Sequence, residues 1–116
     1  MPGRCTRGMV LEVNLDPAMG SEPKKTRPCV VIQNDIGNRY STIAIVAVIT
    51  GAENVPKRYP VDVPVLRGEG GLTKDSVVQC NLIRSVDEGR LLRTLGHLSP
   101  TTMEKIDKAL RISLAL

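Results

Sequence analysis

The first half of the chain shows the hydrophobic patterning of β-strands. Residues 9–15 alternate, with Met9, Leu11, Val13 and Leu15 on one face, which is typical of a half-buried strand. Residues 28–33 form a continuous, mostly β-branched apolar run that suits a central strand. A third strand is predicted over residues 42–50, and turn-forming residues at 16–26 and 34–41 separate the three.

The second half predicts further short strands and one helix. Two prolines restrict residues 58–66 to a sheet edge, residues 67–74 read as a mobile glycine-containing loop, and residues 75–80 and 82–86 predict two more strands. Ser99 and Pro100 form a helix start. The apolar face of that helix comprises Met103, Ile106, Leu110 and Leu114, and Lys105, Lys108 and Arg111 line the other face. The pattern predicts a small, curled antiparallel sheet or barrel with a C-terminal helix.

Composition adds a basic balance and few aromatic rings. The 116 residues predict one domain spanning 1–116, with a net charge of +4 and a pI near 9.2 that favour nucleic acid or acidic partners. Tyr40 and Tyr59 are the whole aromatic set, which argues against a platform of rings on which bases stack.

The reactive side chains argue against a metal, a nucleotide cofactor or a secreted protein. One histidine and scattered carboxylates form no ligand cluster, and G-x-G-G at 68–71 follows no βαβ pattern. His97 precedes the helix between leucines, where a structural role is favoured over that of a general base. Cys29 and Cys80 fall in apolar runs and are expected to be core thiols of a soluble cytoplasmic protein. The apolar stretch 43–49 is too short to cross a membrane.

Arg27 and Thr50 are the candidate chemical groups. Arg27 stands where a basic loop meets a strand, with five N–H donors that fit a phosphate, or alternatively in a salt bridge with Glu22 or Asp35. Thr50 ends the third strand before Gly51, where a hydroxyl often bonds to its own backbone. The residues alone leave both alternatives open.

The segment 7–35, RGMVLEVNLDPAMGSEPKKTRPCVVIQND, resembles the opening of toxin endoribonucleases of the MazF/PemK family. G-S-E followed five residues later by R-P carries the likeness. It continues through IAIVAVIT ending at Thr50, DSVVQCNLIRSVD at 75–87 and a helix ending KALRISLAL. The resemblance covers residues 7–116, nearly the whole chain.

This resemblance implies a mainly β, SH3-like small barrel of the CcdB/PemK type with a C-terminal α-helix, assembled as a homodimer. It implies cleavage of single-stranded RNA at a short motif without a metal or other cofactor, giving 2′,3′-cyclic phosphate and 5′-OH ends. It also implies a cognate antitoxin whose acidic, disordered C-terminal tail occupies the RNA groove at the dimer interface.

The family's catalytic arginine and threonine fall on Arg27 and Thr50, and its active-site loop falls on Gly20, Ser21 and Glu22. Glu22 is the candidate for positioning or base work. The residues expected to contact RNA are Gly20, Ser21, Lys24, Lys25, Lys57, Arg58, Asn81 and Arg84. The chain departs from the family pattern at Pro23 after G-S-E and at Asn81-Leu82 before Ile83-Arg84, so its preferred RNA motif does not follow from the resemblance.

Two other functions compete with the ribonuclease. A toxin of the same fold that binds and poisons DNA gyrase lacks the arginine–threonine pair and ends in a tryptophan-bearing helix, whereas this chain has no tryptophan. An SH3-like module that binds proline-rich ligands needs an aromatic-lined groove, and two tyrosines supply little of one.

Overall fold

The computed structural model describes residues 5–17, 19–22 and 25–116. Six strands run through this part of the chain: β1 Met9–Asn14, β2 Thr26–Val31, β3 Ile43–Gly51, β4 Asp62–Val65, β5 Ser76–Asp87 and β6 Leu91–His97. The same residues also form two α-helices, α1 Asp35–Tyr40 and α2 Pro100–Leu114, and short 3₁₀ turns between strands at Ala52–Asn54, Glu69–Gly71 and Glu88–Arg90.

The strands form one antiparallel sheet in the order β4-β5-β3-β2-β1-β6. Val63 of β4 and Val10 of β1 belong to the same buried cluster although three strands separate them in the sheet. The sheet must therefore curl to bring them together. The predicted fold class, a mainly β antiparallel sheet with a C-terminal helix, is confirmed.

Alternate residues of the central strands enter two different cores. Ala47 and Ile49 of β3 pack on the side covered by α2, in what we call the helix-side core, with Val30 and Ile106. The neighbouring residues of the same strands form the far-side core on the other face: Leu11, Val13, Cys29, Val31, Val46 and Val48. In β1, Leu11 and Val13 are buried on the predicted apolar face, while on the other face Glu12 is half-buried and Asn14 is exposed. Val10 departs from this pattern, since it is fully buried in the helix-side core.

Residues 34–41 form a helix where the sequence predicted a turn. The Asn34 side chain accepts a hydrogen bond from the N–H of Gly37 and caps α1. The buried side chain of Asn38 donates to the carbonyl of Gln33 and to Asp35. The same turn-forming residues thus act as a cap and a buried anchor for one and a half turns of helix.

Two further differences concern β5 and β6. Residues 75–80 and 82–86 were predicted as two strands, but β5 runs unbroken over Ser76–Asp87 because a register shift opposite Ala47/Val48 absorbs the irregularity. The strand β6 was not predicted at all. It pairs with β1 and interrupts its own register twice, which obscures the period of two in its sequence.

The loop 67–74, read as mobile from its glycines, packs against α2 and β6. Gly70 is buried beside Val10 and Leu98, and a carboxylate oxygen of Glu69 accepts the N–H of Ser99 at 3.0 Å. Burial alone would raise the pKa of Glu69, but hydrogen bonds from Ser99 and Thr102 hold it below its ordinary value of 4.5. The carboxylate therefore joins this loop to the start of α2, where the Ser99 cap and Pro100 confirm the predicted helix.

Candidate active site

Arg27 and Thr50 lie just beyond the paired part of two adjacent strands. The pairing of β2 with β3 ends at Cys29 and Val48; Arg27 lies two residues before Cys29, and Thr50 lies two residues after Val48. The alternation of side chains along a strand places both on the face of the far-side core. Both residues are half-buried, at the point where the apolar row of this face ends in polar side chains.

These two residues line an open cleft of about 410 Å³, which we call the Arg27–Thr50 cleft. Its walls are Gly20, Ser21, Glu22, Arg27, Thr50, Gln79 and Leu82. All three residues of the predicted active-site loop and both predicted catalytic residues therefore meet in one depression, although 30 residues of sequence separate the first from the last of them.

The loop that carries Glu22 is held in shape by its own hydrogen bonds. The carboxylate Oε1 of Glu22 accepts the N–H of Met19 at 2.6 Å, and the Glu22 N–H donates to the Met19 carbonyl at 3.1 Å. Gly20 adopts a φ of 58° between them, a conformation that glycine takes without strain. One carboxylate oxygen is thus used to shape the loop, and the residue still faces the cleft.

Thr50 does not bond to its own backbone. Its hydroxyl donates to Oε1 of Gln79 at 2.6 Å, and Gln79 itself lines the cleft from β5. Sequence reasoning missed Gln79. The available signal was an amide within the apolar run Val77, Val78 and Cys80, on the face that also carries Val77.

A second depression of about 240 Å³, the Asn81 hollow, adjoins the first. It is lined by Ser21, Glu22, Val48, Asn81, Leu82, Ile83 and Arg84, and it shares Ser21, Glu22 and Leu82 with the Arg27–Thr50 cleft. Nη1 of Arg84 donates to the carbonyl of Leu15 at 2.7 Å, so this side chain also ties β5 to the start of the active-site loop. We refer to the two adjoining depressions together as the groove.

Other predicted RNA contacts lie away from this groove. Lys25 is exposed on the loop before β2, and its N–H donates to Asp16. Lys57 lies with its Nζ 5.6 Å from the centre of the Tyr59 ring, and Nε of Arg58 donates to the Val55 carbonyl at 2.8 Å. Neither of these two residues lines the cleft or the hollow. Lys24 falls outside the described residues.

Burial makes the thiol of Cys29, two residues after Arg27 on β2, unreactive. Burial raises the pKa of Cys29 to about 12, while the positive charges of Arg84 and Arg27 act in the opposite direction without overcoming it. A thiol with that pKa is protonated at neutral pH and is no nucleophile. Cys29 and Cys80 are both buried and free of disulfides, as predicted.

The alternatives for other groups are decided by their contacts. Asp35 accepts hydrogen bonds from Arg7 and Asn38, and chiefly the Arg7 N–H lowers its pKa. Nε2 of His97 lies 3.1 Å from the Thr6 hydroxyl oxygen, and His97 lines neither of the two depressions. Among residues 5–17, 19–22 and 25–116, no group of three or more histidine, cysteine or carboxylate side chains could hold a metal ion. No helix in the same ranges is long and apolar enough to span a membrane.

Comparison with known proteins finds relatives that match nearly the full length of the chain. Residues 6–114 match the sequence model of the PemK-like, MazF-like toxins of type II toxin–antitoxin systems. The chain is 46% identical over 110 residues to the endoribonuclease EndoA of Bacillus subtilis, which covers 95% of this chain and 94% of that protein.

Solved structures share the fold at lower identity. MazF from Deinococcus radiodurans superposes with a TM-score of 0.80 at 22% identity, covering 97% of each chain. A mycobacterial endoribonuclease in complex with its cognate antitoxin gives a TM-score of 0.79 at 24% identity, covering 97% of this chain and 96% of that one.

Proposed function

The chain belongs to the PemK-like, MazF-like family of toxins of type II toxin–antitoxin systems, and from that premise we propose how it cuts RNA. As a member of this family it is an endoribonuclease. We propose that it cleaves single-stranded RNA at a short motif, without a metal, by attack of the ribose 2′-OH on the adjacent phosphate. The observation that supports this proposal most is that Arg27 and Thr50, from two adjacent strands, line one open cleft together.

In this reaction the 2′-OH gives its proton to a base, and its oxygen forms a bond to phosphorus. The bond from phosphorus to the 5′-oxygen breaks, and that oxygen takes up a proton. The products are a 2′,3′-cyclic phosphate and a 5′-OH end. Since RNA supplies its own nucleophile, the enzyme has no need of a metal-bound hydroxide.

Arg27 supplies the fixed positive charge. An arginine remains protonated at neutral pH, and its planar fork can meet two non-bridging phosphate oxygens at once. The half-buried side chain stands on a paired strand, so little reorganisation accompanies the growth of negative charge in the transition state. A preorganised donor of this kind is worth about 10²–10³ in rate.

Thr50 and Glu22 complete the site. The Thr50 hydroxyl adds a second polar group on the same phosphate. Glu22 has one carboxylate oxygen engaged with Met19, which leaves the other for the 2′-OH or for a water molecule. We assign it to positioning of the nucleophile or to proton transfer.

The Asn81 hollow is suited to a base next to the cleaved bond. It offers the Asn81 amide for hydrogen bonding to a base edge, and Leu82 and Val48 supply apolar contact. Arg84 adds positive charge at its rim. RNA recognition by splayed, unstacked bases that meet polar side chains is common among proteins that read single strands.

The partner that silences this groove is expected to be an acidic antitoxin segment. The groove carries two arginines, and the whole chain is basic, with a net charge of +4. An acidic disordered tail would therefore compete with RNA for the same contacts.

We further propose a homodimer. Leu114 and Leu116 are 53% and 85% exposed and border an apolar groove with Ile45 and Ile83. A second copy would cover this surface. Sedimentation equilibrium should give twice the mass of the 12.6 kDa chain, and Leu114→Glu should reduce it to a monomer.

The nuclease proposal is tested with a pair of RNA oligonucleotides that differ at one atom. The intact substrate should yield a cyclic phosphate and a 5′-OH in the presence of a chelator. A substrate with 2′-deoxyribose at the cleavage site should bind with similar affinity and remain uncut. Cleavage of the deoxy substrate at a comparable rate would show that the 2′-OH is not the nucleophile. The gyrase-binding alternative has no support in these comparisons and predicts no cut RNA at all.

A further inference from the structure

Gln79 is the one residue of the cleft that neither sequence reasoning nor the proposed chemistry accounts for. It is half-buried on β5, and its Oε1 lies 2.6 Å from the Thr50 hydroxyl. This is a short contact for two neutral groups, at the low end of the range for O–H···O hydrogen bonds. The pair lies within the cleft wall, beside Arg27 and Leu82.

The reach of Gln79 depends on an irregularity in the sheet. The register between β3 and β5 shifts between Ala47 and Val48, and beyond that shift Gln79 is paired with Val48 while Thr50 is paired with Val77. Gln79 is thus a diagonal neighbour of Thr50, a separation that long side chains can bridge. A slip of one residue would turn the amide to the opposite face of the sheet.

We propose that Gln79 is a positioning residue that sets the direction in which the Thr50 hydroxyl proton points. This inference rests on the proposed ribonuclease function, because it assigns Thr50 to the cleaved phosphate. Gln79 itself need not touch the reacting atoms.

The proposal follows from counting protons. A threonine hydroxyl has one proton and two lone pairs. When the proton goes to Oε1 of Gln79, Thr50 presents lone pairs alone to the cleft and cannot donate to a phosphate oxygen. Before Thr50 can donate to the phosphate, its hydroxyl proton must turn away from Oε1 of Gln79 and point into the cleft.

The primary amide of Gln79 can stop accepting that proton and still remain hydrogen-bonded to Thr50. Turned by half a rotation, the Gln79 side chain presents Nε2, which donates to the Thr50 oxygen. The Thr50 proton then points into the cleft. Both arrangements keep the pair hydrogen-bonded, so the exchange does not leave a half-buried polar group unsatisfied. An anionic phosphate, which only accepts hydrogen bonds, favours the second arrangement.

A double-mutant cycle isolates this coupling. Single-turnover cleavage rates are measured for wild type, Gln79→Leu, Thr50→Val and the double variant, with Ser85→Ala as a control on an exposed part of β5 outside the cleft. We expect Gln79→Leu to lower the rate about 10-fold in the wild-type background and less than about 2-fold when Thr50 is already valine. An equal loss in both backgrounds would overturn the inference.

The pH profile of Gln79→Glu distinguishes proton direction from packing. A carboxylate of nearly the same shape accepts the Thr50 proton and cannot donate, so the rate relative to wild type should fall about 10-fold or more above neutral pH. It should recover as the pH falls and the carboxyl group is protonated, since the acid can donate again. A ratio that does not change with pH contradicts the proposal. The pH profile of Gln79→Glu does not depend on Gln79→Leu, so it tests the proposal even if that variant folds poorly.

Failure of this inference and failure of the proposed function give different results. If Arg27→Ala and Thr50→Val cleave as fast as wild type, the function assigned to the cleft is wrong. If both are impaired and the effect of Gln79→Leu persists undiminished in the Thr50→Val background, only the role of Gln79 is wrong.

Discussion

The two faces of the same three strands have opposite characters. On the helix-side core, the row of buried residues continues under α2, where Ile49 and Ile106 are both within 1% of full burial. On the far-side core the row runs from Val31 and Val46 through Cys29 and Val48, and then the apolar residues give way to Arg27 and Thr50. One face is covered by a helix, while the other ends in an open cleft. We therefore expect substitutions on the covered face to change mainly the unfolding free energy, and substitutions on the open face to change mainly the cleavage rate.

The largest expected effect is on the open face. Arg27→Ala should lower the cleavage rate about 10²–10³-fold, a loss of roughly 3–4 kcal/mol of transition-state stabilisation, because the charge opposing the phosphorane is removed. The midpoint of urea unfolding should change little. Arg39→Ala, on the exposed surface of α1, is the matched control and should cleave as wild type does. A large loss of stability in Arg27→Ala would remove the distinction between the two faces.

The converse change is made in the covered face. Ile106→Ala deletes a fully buried side chain of α2 and should cost about 2–5 kcal/mol of unfolding free energy through lost burial and the cavity left behind. Cleavage per folded molecule should stay close to wild type under conditions where the variant is folded. Equilibrium unfolding in urea gives the first quantity, and active-site titration with single-turnover kinetics gives the second. Ile112→Ala on the same helix is 52% exposed and should be nearly neutral.

A smaller expected effect is the loss of stability at alkaline pH, to which a buried thiol in each of the two cores contributes. Burial raises the pKa of Cys29, in the far-side core, from 9.0 to about 12, and that of Cys80, in the helix-side core, to about 11. In the unfolded chain both ionise near 9.0, so the stability that each contributes is complete below that pH and is lost as the pH rises towards the folded value. Between about pH 8 and about pH 10 the loss should be on the order of 1 kcal/mol per thiol.

Urea unfolding at a series of pH values measures this loss. Replacing either Cys29 or Cys80 by alanine should reduce the alkaline slope, whatever its effect on stability at neutral pH. Above about pH 11 the contribution of Cys80 should level off while that of Cys29 continues, since Cys80 then ionises in the folded protein as well. An unchanged slope in both variants would show that other groups govern alkaline unfolding.

Much of the fold was predictable from local patterns. The third strand, the edge position of residues 58–66 and the helix that begins after Ser99 each have a periodicity or a capping residue that acts on its own. The strand β6 was missed because its two register interruptions displace the apolar residues from strict alternation. The helix α1 was missed because asparagines such as Asn34 and Asn38 are typical of turns. The sequence does not show that Asn34 caps a helix or that Asn38 is buried within it.

The site was predictable only in part, and for a different reason. Nothing local to Arg27 or Thr50 distinguishes them from a surface charge and a strand-terminal hydroxyl, so their pairing came from family resemblance. That both line one cleft depends on the pairing of β2 with β3, which joins residues 15 to 19 positions apart in the sequence. Gln79 could not be predicted because its contact with Thr50 depends on a shift in that register.

The groove draws its two depressions from different parts of the sheet. Arg27 and Thr50 stand on β2 and β3, whereas Asn81 stands on β5, and the two depressions share Ser21, Glu22 and Leu82. On the roles proposed above, target choice can diverge at position 81 without a change in Arg27 or Thr50. Libraries varied at position 81 should then yield toxins with altered target spectra, which sequencing of cleaved transcripts would reveal.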